Sequence, residues 1–251
     1  MKEKNIPIKR PKSMMMLIIV LFLFIGLIST AEKVNAATVE TIPSTDLQVS
    51  SSNILRLGNV NYTAKWTGVS GKTIAGKYNY PHLCVPIKSK TSSFTYTDFL
   101  DITFTNIGSI NGRQLDAKVH FNSMTVSARG GSATGERSDN YMGVCYLSAW
   151  SLWMSATIDD GSGYRAAKTI DTTTTVYWHD TGETVDLPFF QSLQDIDAGD
   201  SYYKEGWEAK SGFSGTFYKY SPCVLSFSGN KVSTPSNLSL SGTDSLLKGG
   251  F

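Results

Sequence analysis

The sequence predicts an all-β protein: one antiparallel β-sandwich, jelly-roll-like, placed after an export signal. Three observations carry this. Apolar and polar residues alternate with a period of two in nearly every apolar segment. Clusters of Gly, Asn, Asp, Ser and Thr separate those segments and supply turns. Beyond the first 36 residues, no ten-residue window carries the apolar stripe of a helix.

The chain starts with Lys2, Lys4, Lys9, Arg10 and Lys12, then runs apolar for 15 residues from Met14 to Ile28. Small residues at Ala36-Ala37 end a short polar stretch. A basic start, an apolar middle and a small-residue cut site make a secretory signal peptide over 1–36. The run is shorter than the ~20 residues that span a bilayer. The expected location is therefore secreted or extracellular, with cell-surface association left open. Removing the six Lys/Arg and two Asp/Glu of 1–36 from the 23 and 21 of the whole chain leaves 17 and 19, a net charge of −2. So balanced a surface has no basic footprint for nucleic acid. Residues 37–52, ATVETIPSTDLQVSSS, read as a polar linker.

The sandwich itself is expected over 53–230, and its elements follow in order. ILRL and NYTAKW are two short strands. In FTYTDFLDITFT, Phe94, Tyr96, Leu100, Ile102 and Phe104 share a face, while Asp98 and Phe99 break the alternation. Asn111-Gly112 is a strong hairpin signal. The return strand turns Leu115, Ala117, Val119 and Phe121 inward; its phase slips at Ser123, as a β-bulge would make it. Residues 144–158 are apolar on both faces and read as one central strand containing Trp150 and Trp153. After the turn DDGSG comes the Thr-rich strand KTIDTTTTVYW, then HDTGE and TVDLPFF. GFSGTFYKY and CVLSF are further short strands, and 231–251 is a Ser/Thr/Gly-rich tail.

Chemistry concentrates in FFQSLQDIDAGD. Asp195, Asp197 and Asp200 crowd together there, and Glu205 follows. Repelling carboxylates attract a hard cation such as Ca²⁺, which these four residues would ligate. An EF-hand is ruled out because its glycine and final glutamate positions hold Asp200 and Gly206. The competing reading is a solvated turn in which Asp side chains accept from nearby backbone N–H groups. Tyr202, Tyr203 and Trp207 then offer aromatic area beside acids, a surface for a glycan or a peptide, or else a core edge. A glycosidase pair needs carboxyls ~5–9.5 Å apart across a cleft, a condition many acid pairs meet. No G-x-S-x-G elbow is present. His82, His120 and His179 are far apart in sequence and are expected to be solvated. The odd number of cysteines, Cys84, Cys145 and Cys223, reads as three buried thiols, the alternative being a Cys84–Cys223 bridge.

Two stretches together resemble a known family. TNIGSINGRQLDAKVHF and FFQSLQDIDAGDSYYKEGW are similar to segments in the N-terminal sandwich regions of Gram-positive (Firmicute) surface adhesin-like proteins. The resemblance covers roughly residues 94–228, with Asp195, Asp197 and Gly199 matching the family's acidic segment. It implies adhesion and carries over no catalytic residue. Such proteins continue into Ig-like repeats and a sorting signal, which this sequence does not show, so a released, non-covalently held or truncated form is expected. The resulting expectation is a non-enzymatic binding protein that uses sandwich loops, with Ca²⁺ as a candidate ordering ion, to hold a host matrix protein or glycan. Two rivals stand beside it: a secreted glycan hydrolase on a jelly-roll scaffold, and a structural wall or pilus-like component.

Overall fold

The computed structural model describes residues 38–42, 55, 57, 58, 60–75, 80–89, 92–128, 141–148, 152–154, 166–186, 190–193, 206–210, 216–220, 225–234 and 247–250. Every regular element among them is a β-strand. The chain forms two units, residues 48–187 and residues 1–47 with 188–251. The expected sandwich span of 53–230 runs across that division.

Unit 48–187 holds two antiparallel sheets. One has the order β2 (Asn61–Trp66), β5 (Phe94–Ile110), β6 (Arg113–Ala128), β9 (Ala166–Trp178). The other has the order β3 (Lys72–Ala75), β4 (Pro81–Pro86), β7 (Tyr141–Leu147), β8 (Leu152–Met154). One core joins them: Phe99, Leu100, Ile102, Phe104, Leu115, Val119, Phe121 and Met124 from the first sheet meet Leu83, Val85, Met142, Val144, Cys145 and Leu147 from the second. The expected antiparallel sandwich is therefore realised within this unit. Phe99, Phe104 and Phe121 are among its largest fully buried side chains, each worth roughly 1.5–3 kcal/mol of burial. The Phe99 and Phe121 rings meet edge to face with centroids 5.8 Å apart.

The long β5–β6 hairpin turns at Asn111 (φ 51°) and Gly112 (φ 80°), the left-handed pair that a type I′ turn requires. Its register slips between Thr97 and Leu100, and Asp98 there is left-handed at φ 45°. This bulge explains the broken alternation in the sequence: Asp98 turns out to solvent while Phe99, 1% exposed, turns into the core. A second slip lies between Phe104 and Gly108, where Asn106 has φ 59° and Ile107 is buried. The bulge expected at Ser123 is present, with Asn122 left over between Phe121 and Ser123.

The segment expected as one strand over 144–158 is different. β7 pairs antiparallel with β8, Cys145 opposite Met154, so the chain reverses direction. A run apolar on both faces fits this hairpin as well as it fits a single central strand. β4, PHLCVP, has no strand signature in the sequence because proline bounds it at both ends, yet all four residues between are buried. Cys84 and Cys145 are both buried thiols, and the Cys84 Sγ–H donates to the His82 carbonyl (3.4 Å). Burial, then the nearby Cys84, pushes the Cys145 thiol far above its ordinary value. Cys223 and Trp150 lie outside the described residues.

One ammonium crosses between the two sheets. Lys168 of β9 sits opposite core-facing Val126, and its Nζ donates to the Gly143 carbonyl of β7 (3.1 Å). Burial pulls its pKa down to about 8.

In the other unit, β1 (Thr38–Ile42) pairs parallel with β12 (Thr216–Tyr220). β12 pairs antiparallel with β15 (Leu247–Gly250), and β15 with β10 (Phe190–Leu193). A separate antiparallel sheet has the order β11 (Gly206–Glu208), β14 (Lys231–Ser233), β13 (Ser226–Ser228). The stretches read as a linker and a tail thus contribute β1, β14 and β15.

Trp66 lies flat on Gly71: a Cβ added there would sit 2.1 Å from the indole. Gly71→Ala should therefore lower the stability of the protein by about 1–3 kcal/mol, read by urea unfolding, because the ring must leave its packed position.

Candidate functional site

Of the residues singled out in the sequence, Asp195, Asp197, Asp200, Tyr202, Tyr203 and Glu205 lie outside the described residues. Trp207 is described: it is half-buried on β11, opposite fully buried Val232. Among the described residues, no group of three or more His, Cys, Asp or Glu side chains is arranged to hold a metal ion.

The densest chemistry among the described residues lies on the outer face of the sheet β2-β5-β6-β9. Register fixes which side chains share that face. Thr63, Thr103, Lys118 and Thr175 form one row across the four strands, and Lys65, Asp101, His120 and Thr173 form the next. Toward the bulge end, Thr97, Ser123 and Asp171 follow, then Thr95, Thr125 and Thr169. The rows are polar throughout, as alternation demands of a sheet with one wet face. Neighbouring side chains bond laterally: Thr95 Oγ1 lies 3.1 Å from Thr125 Oγ1, and Asn122 Nδ2 donates to Thr173 Oγ1 (2.9 Å).

His120 sits at the centre. Its Nδ1 lies 2.6 Å from Asp101 Oδ1 and its Nε2 3.1 Å from Asp98 Oδ1. Lys118 Nζ bridges to the other Asp101 oxygen at 2.9 Å. The hydrogen bond to Asp101 holds the imidazole above its usual pKa, against a loss from burial and with further help from Asp98. Burial pushes the Asp101 carboxyl up, but hydrogen bonds and charge from Lys118 and His120 outweigh it and leave it below the usual carboxylate range. Both ring nitrogens lie within hydrogen-bond distance of a carboxylate. The bulge makes this arrangement, because it aims Asp98 at the ring from one residue out of phase.

A second cluster closes the hairpin end. Asp116 Oδ1 accepts from the Asn106 N–H (2.9 Å) at the second bulge, and both Asp116 oxygens lie 3.0 Å from His179 Nδ1. Arg113 grips Asp180 through Nε and Nη2 (2.8–3.2 Å) and stacks on Trp178, 4.2 Å from the ring centroid. The histidines are thus not simply solvated. His120 and His179 are paired with acids, and His82 is 7% exposed and stacked on Tyr146 at 4.9 Å. The available signal was His120 in register with Asp101 across a legible hairpin.

A family model described as the Sgo0707 N-terminal domain matches residues 50–192, closely following unit 48–187. Among solved structures, the N-terminal domain of the Streptococcus gordonii adhesin Sgo0707 is similar, at 18% identity with a TM-score of 0.59. That match covers 85% of this chain and 59% of the solved one, so this chain spans less than two thirds of that chain's length. At that identity the likeness is one of fold. No curated protein matches.

Asp116→Ala should cost roughly 1 kcal/mol in urea unfolding at pH 7 and speed hydrogen exchange at the Asn106 amide. Asp116→Asn should recover part of the loss, since its amide oxygen still accepts from that N–H.

Proposed function

The chain belongs to the Sgo0707 N-terminal domain family, and on that premise we propose that it is an exported, non-enzymatic, adhesin-like binding domain. The observation that supports this most directly is the family match over 50–192, which falls on the unit carrying the polar sheet face. That face presents hydroxyls, an amide, carboxylates and ammoniums on rigid strands, donors and acceptors suited to a glycan or to the backbone of a matrix protein. Export rests on the leader read in residues 1–36. No helix among the described residues is long and apolar enough to cross a membrane.

Binding to immobilised host matrix proteins and glycans tests the reading. Retention of the protein on at least one of them, lost on placing Arg at the outward Thr63 and Thr169 together with unchanged melting, is the expected result. Glycan turnover that one acid-to-amide change abolishes would instead establish the hydrolase. Self-assembly with no ligand on either array would establish the structural component.

We further propose that Asp195, Asp197, Asp200 and Glu205, beside Tyr202, Tyr203 and Trp207, hold Ca²⁺, the competing reading being a solvated turn. Added Ca²⁺ should then raise the melting temperature, and Asp195→Asn with Asp197→Asn should remove the rise. Melting that ignores both Ca²⁺ and EDTA refutes the metal assignment.

A further inference from the structure

We propose that His120, held between Asp98 and Asp101, is a pH-operated latch on the first bulge of β5, closed when the imidazole is protonated and released when it is neutral. Only the imidazolium can donate to both carboxylates at once; the neutral ring has one N–H and must let one acid go. Asp101 keeps Lys118 as a second donor and lies at the shorter distance. Asp98, at 3.1 Å and with its side chain 76% exposed, is the one released.

Asp98 matters because of its backbone. It is a non-glycine residue at φ 45°, a conformation that costs energy unless its surroundings hold it. The residue after it, Phe99, is buried against Tyr96 and Phe121, and its carbonyl accepts from the Thr67 N–H at 3.0 Å. The latch on Asp98 therefore reaches the Thr67 end of β2 through one covalent neighbour, Phe99, and one hydrogen bond. The groups facing His120 are Asp98 and Asp101 from β5, Lys118 on its own strand β6, and Thr173 opposite on β9. Asp171 of β9 stands one row further, reached through Asn122, and Lys65 of β2 stands behind Asp101. The two nearest charges are the two acids, which is why the charged ring is favoured. A folded-state pKa above 6.5 means that the stabilisation is fully present below pH 6.5 and is lost as pH rises through the folded value. The latch stands on these contacts alone, whatever ligand the polar face takes.

The test is a pH titration of the full chain from 5.5 to 8.5. The His120 ring protons are followed by NMR, and the protection factor of the Thr67 amide by hydrogen exchange. The expected result is a His120 midpoint above 6.5, with Thr67 protection falling roughly two- to fivefold across it, the scale of an exposed ion pair. Asp98→Asn keeps a residue that tolerates left-handed backbone, so it should fold, shift the His120 midpoint down and remove most of the Thr67 step. A His120 midpoint at or below 6.5 overturns the proposal. So does Thr67 protection that stays level through the titration, or a Thr67 step that survives Asp98→Asn.

Discussion

Asp98 is one of two left-handed non-glycine residues in the 17-residue strand β5, and the packing of that strand turns on it. Without that residue, strict alternation from Phe94 would carry Asp98 into the core and leave Phe99 in water. With it, Phe94 and Tyr96 before the bulge and Leu100, Ile102 and Phe104 after it all face inward, and Phe99 joins them. The same break aims the Asp98 carboxylate at His120, so core packing and surface electrostatics share one backbone irregularity. β6 needs its own slip at Asn122 to stay in step with β5 and β9. The two bulges face each other across the hairpin, which bends and twists the paired strands together.

Much of the fold was legible because it depends on local rules. Asn111-Gly112 can hardly do anything but turn, and Leu115 to Phe121 alternates without fault. Even the Ser123 slip showed in the pattern, since each apolar residue must find the core. What stayed hidden depends on partners distant in sequence. β1 looks like polar linker until β12 lies beside it, and β4 is masked by its prolines. The run 144–158 satisfies both a single strand and a hairpin, because each buries the same residues. Nothing in residue pattern alone decides where such a run reverses.

The polar face was legible in kind but not in detail. Alternation placed Asp101, Lys118 and His120 outward, and hairpin register alone sets Asp101 opposite His120. The role of Asp98 required knowing that the strand breaks there, and Asp98 and Phe99 entered the sequence reading only as exceptions. The acidic stretch at 195–205 stands out in a linear string because its carboxylates are near neighbours in sequence. Charges gathered from two strands 19 to 22 residues apart do not.

The parallel pairing of β1 with β12 has a consequence for how the chain comes to be folded. The sheet β1-β12-β15-β10 takes its first strand from before residues 48–187 and its other three from after them. A chain emerging amino-terminus first completes the inner unit from contiguous residues while β1 still lacks its mate. Assembly is therefore nested: the insert can close early, and the surrounding sheet waits for β12 and β15 to be delivered. Until then β1 is an unsatisfied edge awaiting a strand about 175 residues downstream, a long loop closure of the kind that slows β-protein folding.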